Sequence, residues 1–492
     1  MATPEGPARP ARGRLLIDGE WTDAASGRTF ESINPADESV VMTVAEAGEP
    51  DADRAIAAAR AALDTGPWGR MSAAERGRIV WRMGDLILEQ MPSLAMVETL
   101  DTGKTLFDSG KIELPMAAAI FQYYAGAATK LSGRTLETNP SAFTYTLREP
   151  VGVVAAIVPW NFPFLLTSWK VAPALAAGCA VIVKPASQTP MSALEMGRIG
   201  LEAGLPPGVL QVLPGPGGSV GMALVRKPGI DKIAFTGSTD VGRQVVREAA
   251  GTLKRVSLEL GGKSPNIVFA DADVEAAIKG AFAGIFYNKG EVCAAGSRLL
   301  VERPIHAEVV EKLAARAEAT VLGDPREKTT RMGPVISRRQ MDIVLGYIEA
   351  GKRDGARLVA GGRRADEANA GKGFFVRPTV FDGVDSEMTI AREEIFGPVL
   401  ATLEFDGVDD AIAKANATIY GLAAGLWTRD VSKAHRMARA VKAGTVWINA
   451  YNLYDPALPF GGFKASGFGR ELGLEALESY LETKSVWLNL DR

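Results

Sequence analysis

Cys293 stands in Asn288-Lys-Gly-Glu-Val-Cys293-Ala-Ala-Gly-Ser297, a glycine-punctuated stretch that follows a helical pattern. Loop placement gives a thiol access to substrate, although a lone cysteine is more commonly buried and inert. Cys179, at the start of an apolar run, reads as that inert kind. Glu259 closes Val256-Ser-Leu-Glu259-Leu-Gly-Gly262. A carboxylate at an apolar strand end either reaches solvent or sits desolvated in a cleft, where its raised pKa suits a general base. Lys184 follows Ala180-Val-Ile-Val183, which puts an ammonium at the strand edge where nucleotides lie in open α/β sheets. A solvated surface lysine is the alternative. Phe235-Thr-Gly237-Ser238-Thr-Asp-Val-Gly242 runs from strand into helix, so N–H groups at the helix start could receive a pyrophosphate, although the spacing is not G-x-G-x-x-G. Gly215-Pro-Gly-Gly-Ser-Val-Gly221 is a second glycine turn, which by itself could be loop chemistry.

Composition narrows the chemistry further. Two histidines, His306 and His435, and two cysteines remove most metal-ligand sets and leave little for a histidine-based triad, so no metal is expected. Lys+Arg 55 against Asp+Glu 58 gives a net charge of −3, with no basic excess for nucleic acid. The apolar stretches 151–160 and 171–183 contain Gly or Pro and fall short of the roughly 20 residues of a membrane span. Residues 1–14 lack the apolar core of a secretory signal and read as a mobile tail, so a reducing cytoplasm is the expected compartment. With 492 residues, 47% hydrophobic and 23% charged, the chain is a folded protein of about three units at about 150 residues each.

The elements that must position these groups follow from periodicity. Residues 51–63, 72–89 and 115–131 read as helices, and 141–148 alternates like an exposed strand. From 151 onward, apolar β-rich runs (151–159, 180–183, 209–213, 232–235, 256–260) alternate with helical ones (164–177, 191–203, 220–226, 241–250). That pattern is the signature of a doubly wound parallel sheet covered on both faces. A second α/β unit begins near Gly262, with strands expected at 266–269, 374–380, 399–405 and 445–449 and a helix at 274–287; residues 484–490 are again strand-like.

Taken with Pro159-Trp160-Asn161-Phe162-Pro163, Glu393-Glu-Ile-Phe396-Gly-Pro398 and Pro459-Phe460-Gly-Gly462, these motifs match in order as well as kind, and the chain resembles the aldehyde dehydrogenase superfamily from about Asp18 to the C terminus. The resemblance implies two doubly wound open-sheet domains and a β oligomerisation arm. The cofactor domain would span 1–130 and 151–261, the catalytic domain 262–465, and the arm with the C-terminal segment 131–150 and 466–492. It also implies that Cys293 is the nucleophile, that Asn161 and the Cys293 N–H hold the oxyanion, and that Glu259 activates the hydrolytic water. A glutamate at 259 argues for a free acid rather than an acyl-CoA product. Glu291 departs from the glutamine of many relatives, and an acid so near the thiol would raise its pKa if turned inward.

For the cofactor, NADP or NAD, the resemblance implies contacts from Val158, Trp160, Lys184, Ser187, Gly215, Gly237, Ser238, Leu260, Gly261, Glu394 and Phe396. NAD-preferring relatives often carry Glu where this chain has Ser187, so NADP is expected to be accepted and favoured. The substrate passage would be lined by Phe162, Leu166, Trp169, Tyr287, Val292, Ala294, Tyr454 and Phe460. Semialdehyde-acid specialists commonly place Arg at the Trp169 position, so the expected substrate is an aromatic or medium-chain aldehyde, with a phenylacetaldehyde-type member the nearest likeness. Residues 141–148 and 484–490 resemble the family's subunit-pairing strands, which implies a dimer or tetramer.

Overall fold

The computed structural model describes residues 12–490. Residues 1–11 of the expected tail lie outside the described residues, whereas Arg12–Gly13 forms a strand paired in parallel with Val40–Ala45. Three features position the site: an eight-stranded sheet, a seven-stranded sheet and a three-stranded arm.

The eight-stranded sheet carries the expected parallel strands in the order Arg255–Glu259, Lys232–Thr236, Val153–Ile157, Ala180–Lys184, Leu210–Val212. Val153–Ile157, Ala180–Lys184, Leu210–Val212 and Lys232–Thr236 are buried throughout, as near-continuous apolar runs require when helices cover both faces. Chain order reverses on either side of Val153–Ile157, and the crevice at that switch is where such sheets bind ligands. Leu15–Ile17 and Glu20–Thr22 complete one edge and Gly467–Phe468 the other, all antiparallel to their neighbours.

In the seven-stranded sheet the order is Arg357–Ala360, Thr379–Asp382, Val399–Phe405, Arg298–Glu302, Pro265–Val268, Ala423–Trp427, Thr445–Ile448. The strand expected at 374–380 is displaced to Thr379–Asp382; ahead of it Phe374 and Phe375 are buried in the core and Val376 makes only an isolated bridge to Arg364. The helix expected at 115–131 is shorter, Leu114–Ala127, and is preceded by a π-helical turn, Asp108–Glu113. Ala142–Pro150 pairs antiparallel along its whole length with Leu481–Asn489, which is an edge strand of the arm among the described residues. Among the described residues no helix is long and apolar enough to cross a membrane.

Candidate active site

The helix Pro163–Ala177 starts directly after Phe162, and helical spacing places Phe162, Leu166 and Trp169 on one face. That face walls a cavity of about 250 Å³. Phe162, Leu166, Trp169, Tyr287, Val292, Tyr454 and Phe460 all line it, together with Cys293 and Glu259. Ala294 is fully buried outside the lining, and its carbonyl accepts from the Tyr451 hydroxyl at 2.9 Å. Tyr451 itself is on the wall, as are Ile112 and Met116, which sequence reasoning missed. The aromatic rings brace one another: Trp169 packs edge-on to Phe460 at 5.4 Å between centroids, and Phe162 stacks on Tyr287 at 6.0 Å.

Cys293 enters this cavity from a turn that only tight backbone packing permits. Gly290 has φ +71°, and a Cβ there would lie 2.1 Å from the Gly397 carbonyl oxygen. A Cβ on Gly262 would lie 2.3 Å from the Cys293 carbonyl oxygen, so the two chain segments touch only because that residue is glycine. The thiol is pushed up to about 12 by burial, then by the charges of Glu259 and Glu394; N–H groups of Ala294 and Cys293 pull the other way. A thiol so raised is protonated at neutral pH, and any attack by its sulfur would require a base to take that proton. Cys179, unlike the half-buried Cys293, is fully buried and pushed up to about 11 by burial, with its sulfur 3.5 Å from the Tyr480 carbonyl oxygen.

Glu259 lines the same cavity. Among the described residues neither of its carboxyl oxygens has a hydrogen-bond partner, and burial, aided by the charge of Glu471, lifts the group well above the usual carboxylate range. Lys170 and Arg470 oppose that lift. Lys170, buried in an otherwise apolar helix, is hydrogen-bonded to the Glu471 carboxylate and to Thr236 Oγ1. This Lys170–Glu471 pair was not anticipated, yet a lysine inside such an apolar run had to find a partner. Asn161 is buried, and its Nδ2 donates to the Glu291 carbonyl at 3.0 Å, which holds the amide beside the Cys293 turn. Glu291 does not face the thiol: its side chain turns to Lys289 and the Ile336 N–H, and it is absent from the groups that shift Cys293.

The cofactor-side residues collect at the carboxyl ends of the parallel strands. Val158 donates its N–H to the Lys184 carbonyl at 3.1 Å, and the Gly237 N–H donates to the Glu259 carbonyl at 3.1 Å. Ser238 caps the helix Thr239–Ala249, accepting from the Val241 N–H, so the free N–H groups of that helix start face the crevice end. Lys184 is buried, pushed down to about 8 by burial alone, with the glycine turn 217–221 beside its ammonium. A buried amine without a carboxylate partner suits the polar edge of a nucleotide. Ser187 Oγ donates to the Gly215 carbonyl at 3.1 Å. From the other sheet, Glu394 accepts from the Gly262 N–H at 2.9 Å and packs against Gly261, its carboxyl raised to about 7 by burial. Phe396 meets Trp160 edge-on at 5.2 Å, and Leu260 closes the row with its N–H on the Ser466 carbonyl. A buried ammonium, a capped helix start and a buried carboxylate at the strand ends have the chemistry that the polar groups of a nicotinamide dinucleotide would require.

Comparison with known proteins agrees with the geometry. The sequence matches the aldehyde dehydrogenase family over residues 21–486. It is 48% identical over 480 residues to aldehyde dehydrogenase family 2 member C4 of Arabidopsis thaliana, covering 97% of this chain and 95% of that one. Against the mitochondrial aldehyde dehydrogenase of Homo sapiens the identity is 46% over 476 residues, covering 96% and 91%. The structure is similar to an NAD+ complex of aldehyde dehydrogenase from Bacillus cereus, with a TM-score of 0.96, 49% identity, and 98% and 97% of the two chains covered.

Proposed function

The chain belongs to the aldehyde dehydrogenase family, and from that premise we propose that it oxidises a hydrophobic aldehyde to the free carboxylic acid with NADP+ or NAD+. The observation that carries the reading is the placement of Cys293 and an unpartnered Glu259 on one aromatic cavity.

In this reading Glu259 accepts the thiol proton as Cys293 sulfur bonds to the aldehyde carbon, giving a thiohemiacetal. The developing oxyanion is received by the second N–H of the Asn161 amide and the Cys293 N–H; one such donor is worth roughly 2.7–4 kcal/mol in other acyl-transfer sites. When bound, the nicotinamide supplies a hydride acceptor. Lys184, Ser187, Gly215, Gly237 and Ser238 would hold its adenosine and pyrophosphate portions, and Glu394, Phe396, Trp160, Leu260 and Gly261 its nicotinamide end. Once Glu259 has released the thiol proton to solvent, it takes a proton from the water that cleaves the Cys293 thioester, and returns that proton to the departing Cys293 sulfur as the acid forms. Desolvation suits a base for this step, and Lys170 and Glu471 behind it set its charge environment.

Several features support the finer choices. Trp169, braced by Phe460 and Tyr454, fills the place a carboxylate-binding Arg would need, which favours aromatic or medium-chain aldehydes. Ser187 puts no negative charge near Lys184, which favours acceptance of a 2′-phosphate. The edge position of Leu481–Asn489 in the arm among the described residues, with Trp487 and Leu488 exposed on it, favours a homo-oligomer built by strand addition. Two free thiols suit the reducing cytoplasm. Product analysis with phenylacetaldehyde and NADP+, with and without coenzyme A, tests the reading: phenylacetic acid in both supports it, and an obligate acyl-CoA product contradicts it.

A further inference from the structure

The turn that carries Cys293 has a backbone its residues rarely adopt. Asn288 and Lys289 both sit in the left-handed region, with φ of 45° and 60°, and both are buried, so surrounding structure must fix them. A buried ion pair does so. Lys289 Nζ lies 3.1 Å from Glu291 Oε2 and donates to the Thr102 carbonyl at 3.0 Å, while Glu291 Oε1 accepts from the Ile336 N–H at 2.9 Å. The pair ties the turn to the end of the helix Met91–Thr102 and to the loop ahead of the helix Arg338–Arg353. The next charge outward, Lys104, is paired with Glu98 and Glu113. Lys289 and Glu291 therefore depend on each other.

Glu291 also presents its backbone carbonyl to Asn161 Nδ2 at 3.0 Å and to Asn288 Nδ2 at 3.2 Å. A primary amide has two N–H groups. With one held by the Glu291 carbonyl, the plane of the Asn161 amide is set and the other hydrogen is left for a substrate oxygen. Building on the reading in which Cys293 attacks and Asn161 receives the oxyanion, we infer that the buried Lys289–Glu291 pair is a positioning device, which orients the Asn161 amide through the Glu291 carbonyl. The pair acts on the oxyanion donor and not on the thiol, whose ionisation is governed by burial, Glu259 and Glu394. Burial raises the Glu291 carboxyl to about 7 against the pull of Lys289, and lowers the Lys289 ammonium against the pull of Glu291, so each offsets part of the other's desolvation.

Removing one partner of a buried pair strands a charge, whereas replacing both with neutral groups of similar shape is often tolerated. The test compares wild type, Glu291→Gln, Lys289→Gln, the double variant K289Q/E291Q, and Glu291→Gln in an Asn161→Ala background. Each single variant is expected to lose about tenfold or more in kcat with the nucleotide KM unchanged within about twofold, since a misplaced oxyanion donor weakens the transition state and not binding. The double variant is expected to return to within about threefold of wild type. In the Asn161→Ala background, Glu291→Gln is expected to cost less than about twofold, because its route to the chemistry is already gone. The inference is overturned by single variants at wild-type rate, by a double variant no better than the singles, by an equal loss with and without Asn161, or by singles that fail to fold while the double folds. Wild-type protein lacking Cys293-dependent aldehyde oxidation would instead overturn the proposed function itself, and that assay comes first.

Discussion

Glu259 and Cys293 line one cavity, close enough that the carboxylate's charge helps hold the thiol in its protonated form. In the proposed reading the thiol is held protonated until a carbonyl arrives, and its proton passes to the ionised Glu259 carboxylate as the sulfur attacks.

Replacing Glu259 by Gln keeps the shape and removes the base, so kcat should fall by about 10²–10⁴-fold. Stability should move the other way. The carboxyl is raised in the folded state, so the native protein holds its proton more tightly than the unfolded chain; stability is fully present below the unfolded pKa and is lost as pH rises through the folded one. Glu259→Gln should therefore raise Tm, and more at pH 9 than at pH 5. Calorimetry at the two pH values checks this, and an equal Tm change at both would contradict it.

Ser187→Glu places a carboxylate where a 2′-phosphate would lie and offers an acceptor to a 2′-hydroxyl. The ratio of kcat/KM for NADP+ over NAD+ should drop by about tenfold or more. Steady-state kinetics with both nucleotides reads it directly, and an unchanged ratio would place the choice elsewhere.

Trp169→Arg removes the ring braced by Tyr454 and Phe460 and puts a cation on the cavity wall. Oxidation of hexanal and phenylacetaldehyde should fall by about tenfold, and succinic semialdehyde should become the better substrate of the three. Succinic semialdehyde as the best substrate of the wild-type protein would contradict the assignment.

Trp487 is 61% exposed, on the edge strand of the arm among the described residues. Trp487→Glu should shift sedimentation toward smaller species if that edge is a subunit contact. A wild-type monomer, or an assembly unmoved by the change, would contradict the oligomer.

The central α/β pattern was legible because buried parallel strands are continuous apolar runs: each run expected between 151 and 260 became a strand within a residue or two of its expected place. Residues 12–45 were not legible. Leu15–Ile17 and Glu20–Thr22 are three residues each; the first takes its place by pairing with Leu210–Val212, nearly two hundred positions away, and the second pairs onto the first. The same limit applied at the site. Cys293, Glu259 and Asn161 sit in motifs, whereas the Lys170–Glu471 pair spans 301 positions and Tyr451 reaches Ala294 across 157. The direction of Glu291 was undecidable from spacing, because it is set by Lys289 in a left-handed conformation and by Ile336 from another segment.

The most direct test exchanges one atom. Cys293→Ser keeps the shape of the turn and replaces sulfur by a far less nucleophilic oxygen, and kcat/KM for aldehyde oxidation, followed as reduced nicotinamide absorbance, should fall by about 10³-fold or more. A serine variant that oxidises aldehyde at the wild-type rate would contradict covalent catalysis at Cys293 and the function built upon it.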